Sequence, residues 1–445
     1  MKPYSSYKDS GVEWIQKIPF SWNKSRVRMV GELYGGLTGK KGDDFNNEDN
    51  PSNKPFVPFT NIFNNTYISK NHFQYVNISE GENQNRVLKY DLFFLMSSES
   101  YEDLGKCSIL LDDIDELYLN SFCKGYRVKD KRVNPIFLNY QLLGSLHKEM
   151  ISIEGNGFTR INLRQNRLLD IPVFLPPIDE QTQIISLLDT KTQKIDELIK
   201  KTEHKIILLK EKRTTLINHC VTKGLNPDVE MKDSGVEWIG DIPSHWNVKL
   251  MKFIIKPIRE KTETGDEELL SVLIKKGVVR RKDFLGKKSE NITRSESLVG
   301  YIKCSKGNLV NNIMKMGFYC LGISDFDGIV SPGYSVFEMI NKKDYPKYWD
   351  LLLKTEIYVD EYRKRSKGIQ KSRMRLYDDY FLSIHSLYPP KEEQTQIVEY
   401  LDEQTQKIDS TIEKETQRIE LLKEYRQSLI SEVVTGKVDV RGWKE

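Results

Sequence analysis

Lys8–Trp22 reads KDSGVEWIQKIPFSW, and Lys232–Trp246 reads KDSGVEWIGDIPSHW. The two stretches align without a gap at an offset of 224 residues. Further along, PPIDEQTQIISLLDTKTQKID begins at Pro176 and PPKEEQTQIVEYLDEQTQKID at Pro389, an offset of 213 that holds to the ends of both segments. Two long blocks recurring in the same order make the chain a tandem duplication. Each half has one plan: a short opening segment, a variable stretch of roughly 150 residues, ordinary for a domain, a Pro-Pro step and a long polar helix. Gly224 and Pro227 follow the first helix as a stop signal.

The helices carry a narrow apolar stripe. In the first, Ile185, Thr192, Ile199, Ile206 and Arg213 occupy one heptad position, and Leu188, Ile195, Thr202, Leu209 and Leu216 the other. The second repeats this with Val398, Thr405, Ile412, Ile419 and Arg426, and with Leu401, Ile408, Glu415, Leu422 and Leu429. Alternating steps of three and four residues are the seam of a coiled coil, here flanked by Lys, Glu and Gln. Each helix would measure roughly 65–70 Å. Equivalent halves dock about a pseudo-two-fold axis, as subunits of a homodimer do, which sets the helices antiparallel with a variable domain at either end. The variable stretches read as mixed: Leu92–Met96 and Val330–Ile340 look like strands, and Asn64-Asn65 like a turn. The expected fold class is therefore α+β, two mixed α/β domains joined by two long helices in an antiparallel coiled coil with a pseudo-two-fold internal repeat. The expected divisions are 1–177 and 225–389 for the domains (the latter with the linker), and 178–224 and 390–445 for the helices, the second with its tail.

Bulk composition narrows the function class. The 445 residues are 38% hydrophobic and 30% charged, with 68 Lys and Arg against 64 Asp and Glu, a net charge of +4. So small an excess leaves the question of nucleic acid to local clustering. Five scattered cysteines with no C-x-x-C argue for a reduced cytoplasmic protein without a zinc site. His219 and Cys220 are adjacent, and neighbours on a helix point about 100° apart, against a shared metal. Neither a signal-peptide core nor a membrane-length apolar run is expected.

Enzymatic alternatives fare poorly. Pro227-Asp228 with Glu230 and Lys232 has the letters of a PD…ExK nuclease, but one short linker cannot wrap both acids around a metal. The Pro-Pro pairs follow Leu175 and Tyr388 and start helices; they do not form the NPPY-like motif of an adenine methyltransferase, and no G-x-x-x-x-G-K-[ST] loop appears.

The SGVEWIG-IP-W opening, the PP-x-x-EQ-x-x-I helix start, the QKID heptad helix, LNSFCKGYRV (Leu119–Val128), GIVSPGYSVF (Gly328–Phe337) and the closing VTGKVDVRGW together resemble the specificity subunits of type I restriction–modification enzymes, end to end. The resemblance implies two target-recognition domains, each reading half of a split, asymmetric site in double-stranded DNA, with the helices as spacer. It also implies docking of two methyltransferase subunits and of nuclease–translocase subunits, which would hold S-adenosylmethionine, ATP and Mg²⁺. The chain itself would have no catalytic residues, cofactor or metal. A self-contained DNA methyltransferase or nuclease, and a coiled-coil scaffold that does not read DNA, are the competing classes.

A DNA reader needs cations on an exposed surface. The candidates are Arg363, Lys364, Arg365, Lys367, Lys371, Arg373 and Arg375, a run that no acid interrupts. Lys276, Arg280 and Arg281 form a second group, near Lys275 and Lys282. At the 213 offset Gly155 aligns with Gly368, Thr159 with Ser372 and Arg160 with Arg373, which adds Arg160 and, close by, Arg164. A phosphate contact beside the glycine turn and a structural ion pair are both open for that arginine. Lys124, Arg127, Lys129, Lys131 and Arg132 are further basic positions. Core packing is expected of Tyr126 and Tyr334, and a pinning role for Trp14, Trp22, Trp238 and Trp246.

Overall fold

A proline pair followed by acids and a glutamine decides where each long helix starts, and the helices organise everything else. The structure is a computed structural model describing residues 2–45, 53–157, 159–274, 276–285, 297–368 and 374–443. It divides into two units, residues 1–203 with 416–445, and residues 204–415. The divisions fall inside both long helices, Ile178–Lys223 and Lys391–Val434. Each unit therefore holds one variable region, the first part of one helix and the last part of the other.

The stripe lies where the heptads put it. From Lys200 to Thr215 the first helix is exposed except at Thr202, Ile206, Leu209 and Arg213, all heptad positions. In the first unit Arg426 Nε donates to Asp196 Oδ1 at 3.0 Å. In the second, Arg213 Nε donates to Asp409 Oδ1 at 2.9 Å, and Lys205 meets Glu415 at 2.5 Å. As residue numbers rise on one helix they fall on the other, so the pairing within each unit is antiparallel. Asp196 and Asp409 are the aspartates of the two QKID blocks, and their partners are the two heptad arginines. Partly exposed pairs of this kind contribute about 0–1 kcal/mol each; what they set is register.

Both variable regions build the same four-stranded antiparallel sheet. In the first unit the order is Gly31–Gly35, Cys123–Val128, Leu92–Leu95, Cys107–Ile109. In the second it is Ile255–Ile258, Tyr334–Met339, Leu309–Asn312, Leu321–Ile323. Leu92–Leu95 is buried at every position, the continuous apolar run of a strand covered on both faces. Val330–Ile340 is not one strand: it bends at Ser331–Gly333, between Gly328–Val330 and Tyr334–Met339. Register pairs Tyr126 with Leu33 and Phe337 with Pro257. Since Leu33 and Pro257 are 224 apart, Phe337 is the counterpart of Tyr126. Tyr126 is fully buried and donates to the Val27 carbonyl at 2.6 Å, whereas Tyr334 is half-buried.

The opening segments form two-stranded ladders, Tyr7–Asp9 with Lys17–Pro19 and Met231–Asp233 with Asp241–Pro243. Trp22 and Trp246 follow them and are wholly buried. Trp238 packs edge-on against Tyr358, centroids 5.1 Å apart. Trp14 departs from expectation and is 51% exposed. Tyr358 is the third residue of its helix, and the third residue of the corresponding helix Ser145–Ile153 is the smaller His147, which turns to the Pro172 carbonyl at 3.0 Å. All five cysteines are buried free thiols. Burial pushes the Cys123 thiol up to about 12.

Burial lowers the His147 imidazole to about 4, outweighing its bond to Pro172. The unfolded chain then takes up this proton first as pH falls through 6.5, so the stability held above that pH is lost progressively toward pH 4. The loss approaches about 3 kcal/mol. We expect His147→Phe, which keeps a ring beside Phe174, to flatten the decline in urea midpoint between pH 6.5 and 4 relative to wild type. Parallel curves would show that this imidazole stays solvated.

Candidate DNA interface

Each unit carries a hairpin just before its long helix, and the candidate arginines cluster there. In the first unit Gly155-Asn156 pairs with Asn162-Leu163, and the hairpin adds to Ser97-Ser98 through Ile161 and Asn162. In the second, Lys367 and Arg375 exchange backbone bonds of 2.9 and 2.8 Å. Leu163 N–H donates to Met96 O and Leu376 N–H to Ile313 O, so 213 holds after the turn. Before the turn it does not. Gly157 and Gly368, with φ of 139° and 150°, are the residues next to the bridged pair, so Gly368 corresponds to Gly157 and not Gly155. The second turn is two residues longer, which an ungapped comparison could not reveal. A Cβ on Gly157 would sit 2.1 Å from the Arg160 carbonyl oxygen; the glycine is what lets the turn fold over Arg160.

Arg160 is exposed and has no carboxylate partner among the described residues. Its guanidinium lies over the Phe122 ring, 5.5 Å from the centroid. Phe122 is 62% exposed. Asn120 Oδ1 accepts from the Phe122 N–H at 2.9 Å, an Asx turn, and the next residue, Cys123, dives into the core. Arg160 and Phe122 line an open cleft of about 580 Å³ with Phe59, Phe63, Glu99 and Asp103. Arg164 is exposed at the start of the short helix Gln165–Asp170 and has no ion pair among the described residues.

The basic run of the second unit divides by role. Arg363 contacts Glu356 and Asp360, each at 2.7 Å, and donates to the Gly317 carbonyl. Arg365 pairs with Glu361 at 2.6 Å and reaches Ser383. The acids lie just upstream on the helix Glu356–Arg365, at spacings of three, four and seven that a search for uninterrupted charge overlooks. Lys364, Lys367 and Arg375 are exposed without acidic partners among the described residues, and Lys367 lies over the Tyr380 ring at 4.5 Å. Lys371 and Arg373 lie outside the described residues, as does Lys275. Lys276 and Arg280 belong to a different hairpin, Leu270–Leu273 with Gly277–Arg280, and Arg281 begins a short helix. No described hydrogen bond or ion pair ties Lys276 or Arg280 to the 363–375 segment. Arg280 lies over Phe326 at 4.5 Å.

Four other basic positions are paired with acids. Arg127 makes bonds of 2.9 and 2.7 Å to Asp91, which is 1% exposed, and its guanidinium covers Tyr34. Lys129 pairs with Glu32, Arg132 with Asp130, and Lys282 with Glu268.

Sequence reasoning treated EQ only as a landmark, yet it is the main brace. Trp22 Nε1 donates to Glu180 Oε1 at 2.8 Å, and Trp246 Nε1 to Glu393 Oε2 at 2.8 Å. Gln181 accepts from Asn134 N–H and donates to Pro176 O; Gln394 accepts from Tyr345 N–H and donates to Pro389 O. Trp and Glu-Gln recur together in both repeats, and that co-occurrence was the available signal.

Residues 19–207 match the family profile described as the type I restriction modification DNA specificity domain. The type I restriction enzyme MjaVIII specificity subunit of Methanocaldococcus jannaschii is 22% identical over 96% of this chain and 95% of its own. The chain is thus similar to type I specificity subunits along nearly its whole length. A second specificity subunit from that organism, of the MjaX enzyme, is 26% identical over 53% of this chain, and the match spans about half of that relative's length, 52%. Among solved structures, a chain from a study of assembly and conformational transition in the type I R-M system superposes with a TM-score of 0.65 at 13% identity, covering 95% of this chain and 99% of that one. The HsdS subunit from Thermoanaerobacter tengcongensis gives 0.54 at 13% identity, covering 95% and 98%. These two likenesses establish the fold of the specificity subunit, α+β with long helices. Among the described residues no helix is long and apolar enough to cross a membrane.

Removing Arg127 tests whether it belongs to the fold or to the interface. We expect Arg127→Ala to cost about 3 kcal/mol in urea unfolding, because it leaves the Asp91 carboxylate buried without its cation. Unchanged stability with weakened DNA binding would move Arg127 to the interface.

Proposed function

We propose that this chain is a specificity subunit that reads a split, asymmetric sequence in double-stranded DNA, one half-site per unit, and brings two methyltransferase subunits to it, with nuclease–translocase subunits joining that core. On this reading the chain is non-catalytic and works in the cytoplasm. S-adenosylmethionine, ATP and Mg²⁺ belong on the partners. The observation that carries the proposal is a repeated sheet ending in a repeated glycine hairpin, whose cations rest on aromatic rings and lack carboxylate partners. Exposed, unpaired arginine and lysine are what phosphates and base edges attract. The variable regions differ from each other, so the half-sites differ.

Exchanging residues 25–175 for the matching region of a relative tests independent reading. Mapping methylated bases in the host genome should then return one changed half-site and one unchanged. A change in both would show that the units do not read separately.

The paired helices are proposed to set the gap between half-sites. Four residues inserted after Lys200 and four after Glu413, matching points of the two repeats, add about 6 Å and nearly one turn, so the apolar stripe drifts by only about 40°. The preferred gap should lengthen by about two base pairs at about 3.4 Å each. Methylation confined to the original gap would remove the spacer role.

A further inference from the structure

The cleft of the first unit holds two charges of opposite sign that do not satisfy each other. Arg160 and Glu99 both line it, both are exposed, and neither has an ion-pair partner among the described residues. The third charged residue of the cleft is already committed: Asp103 accepts from Ser100 Oγ at 2.7 Å and faces Lys106 at 3.9 Å. Lys106 in turn lies over the Phe63 ring at 4.3 Å, and Phe63 stacks on Phe59. The cleft thus has a fixed apolar wall, a locked aspartate, and a free donor fork and acceptor.

We infer that Arg160 and Glu99 read one G·C pair in the half-site of the first unit, Arg160 on the guanine and Glu99 on the cytosine. The inference rests on the DNA-reading function proposed above and specifies its chemistry. In the major groove guanine offers O6 and N7, two acceptors that match a guanidinium bidentately, and its cytosine offers the N4 amino donor to a carboxylate. An A·T pair replaces O6 by an amino group, which repels the arginine's donors. A stability role would have closed Arg160 onto Glu99. Instead the guanidinium lies over Phe122, itself set by the Asn120 turn, so less side-chain freedom is lost on binding. Gly157 fixes the turn that carries the arginine.

The test is binding-site selection from a randomised duplex library, using the full chain in its methyltransferase complex, with wild type, Arg160→Lys, Arg160→Ala and Glu99→Gln. The half-site that changes on exchange of residues 25–175 identifies the one read by the first unit. Wild type should require a G·C pair there. Arg160→Lys keeps the charge and loses the fork, so discrimination at that pair should fall about tenfold to a hundredfold while the salt slope stays the same. Glu99→Gln should relax the same pair, and no variant should alter the other half-site. Thermal unfolding of Arg160→Lys should match wild type. An unchanged consensus in all three variants overturns the inference, as does a first half-site without any G·C pair. Uniform weakening by Arg160→Ala, with an intact consensus and a salt slope lower by about one, makes the contact a phosphate contact and overturns it too. A wild-type complex that selects no split motif removes the proposed function itself, an outcome distinct from all of these.

Discussion

The bond between an indole N–H and a first-turn glutamate holds each unit together. Trp22 is buried to the last atom, and its one polar group finds Glu180 at 2.8 Å; Trp246 finds Glu393 at the same distance. A buried indole without an acceptor would cost about 1–3 kcal/mol, and the carboxylate gains by sitting at the positive end of a long helix. The same tryptophan closes the far end of the other helix. Gly436, with φ of 72°, ends the second helix against Pro19 and Trp22; Gly224, with φ of 81°, ends the first against Pro243 and Trp246. One side chain thus gathers an opening segment, a helix start and a helix end. The glutamine beside each glutamate then ties the helix to the N-terminus of the domain's first packed helix, at Asn134 or Tyr345.

Much of this architecture was legible because duplication prints the same physical requirement twice. The heptad stripe gave the pairing, and the structure leaves none of those positions exposed. The strand around Leu92 was legible because it is apolar throughout. The bend at Ser331–Gly333 was not, since a bend between apolar runs leaves their periodicity intact. Nor was the two-residue extension before Arg375, because one offset was carried across a turn, where length is free to vary. Trp238 packs on Tyr358, and the first unit has His147 at the corresponding helix position while Trp14 is exposed, a difference that no local pattern records.

The candidate interface was legible in outline only. Charge counting finds arginines; it does not find their partners. Arg363 and Arg365 are spent on acids one helical turn or two upstream, and Arg127 on a buried aspartate just before the strand Leu92–Leu95. Arg160 looked no different from these in the sequence. What separates it is a ring, Phe122, whose exposure depends on an Asx turn and whose neighbour Cys123 is buried. Lys367 on Tyr380 and Arg280 on Phe326 follow the same arrangement. Cation and ring are far apart in the chain for Arg160 and Phe122, so composition alone could not have joined them.

The first unit is assembled from two segments far apart in the sequence, residues 1–203 and 416–445. Lys2 bridges to Asp439, Asp439 N–H donates to the Lys2 carbonyl at 2.8 Å, and Ile430, Val433 and Val434 complete the core around Trp22 and Leu187. The second unit spans His204–Glu415 and so precedes the closing segment of the first. On the ribosome, then, birth order and folding order are reversed: the half made first waits for the half made last. At about 5–20 residues per second, the 30 residues from Thr416 to Glu445 take on the order of a few seconds. Throughout that interval Trp22 and its apolar neighbours lack their cover, although most of their domain has already emerged. Nascent-chain surface of that kind is what chaperones bind and what aggregates when they do not. The last turn of the second helix is therefore a clasp, and the yield of active protein depends on how promptly it shuts.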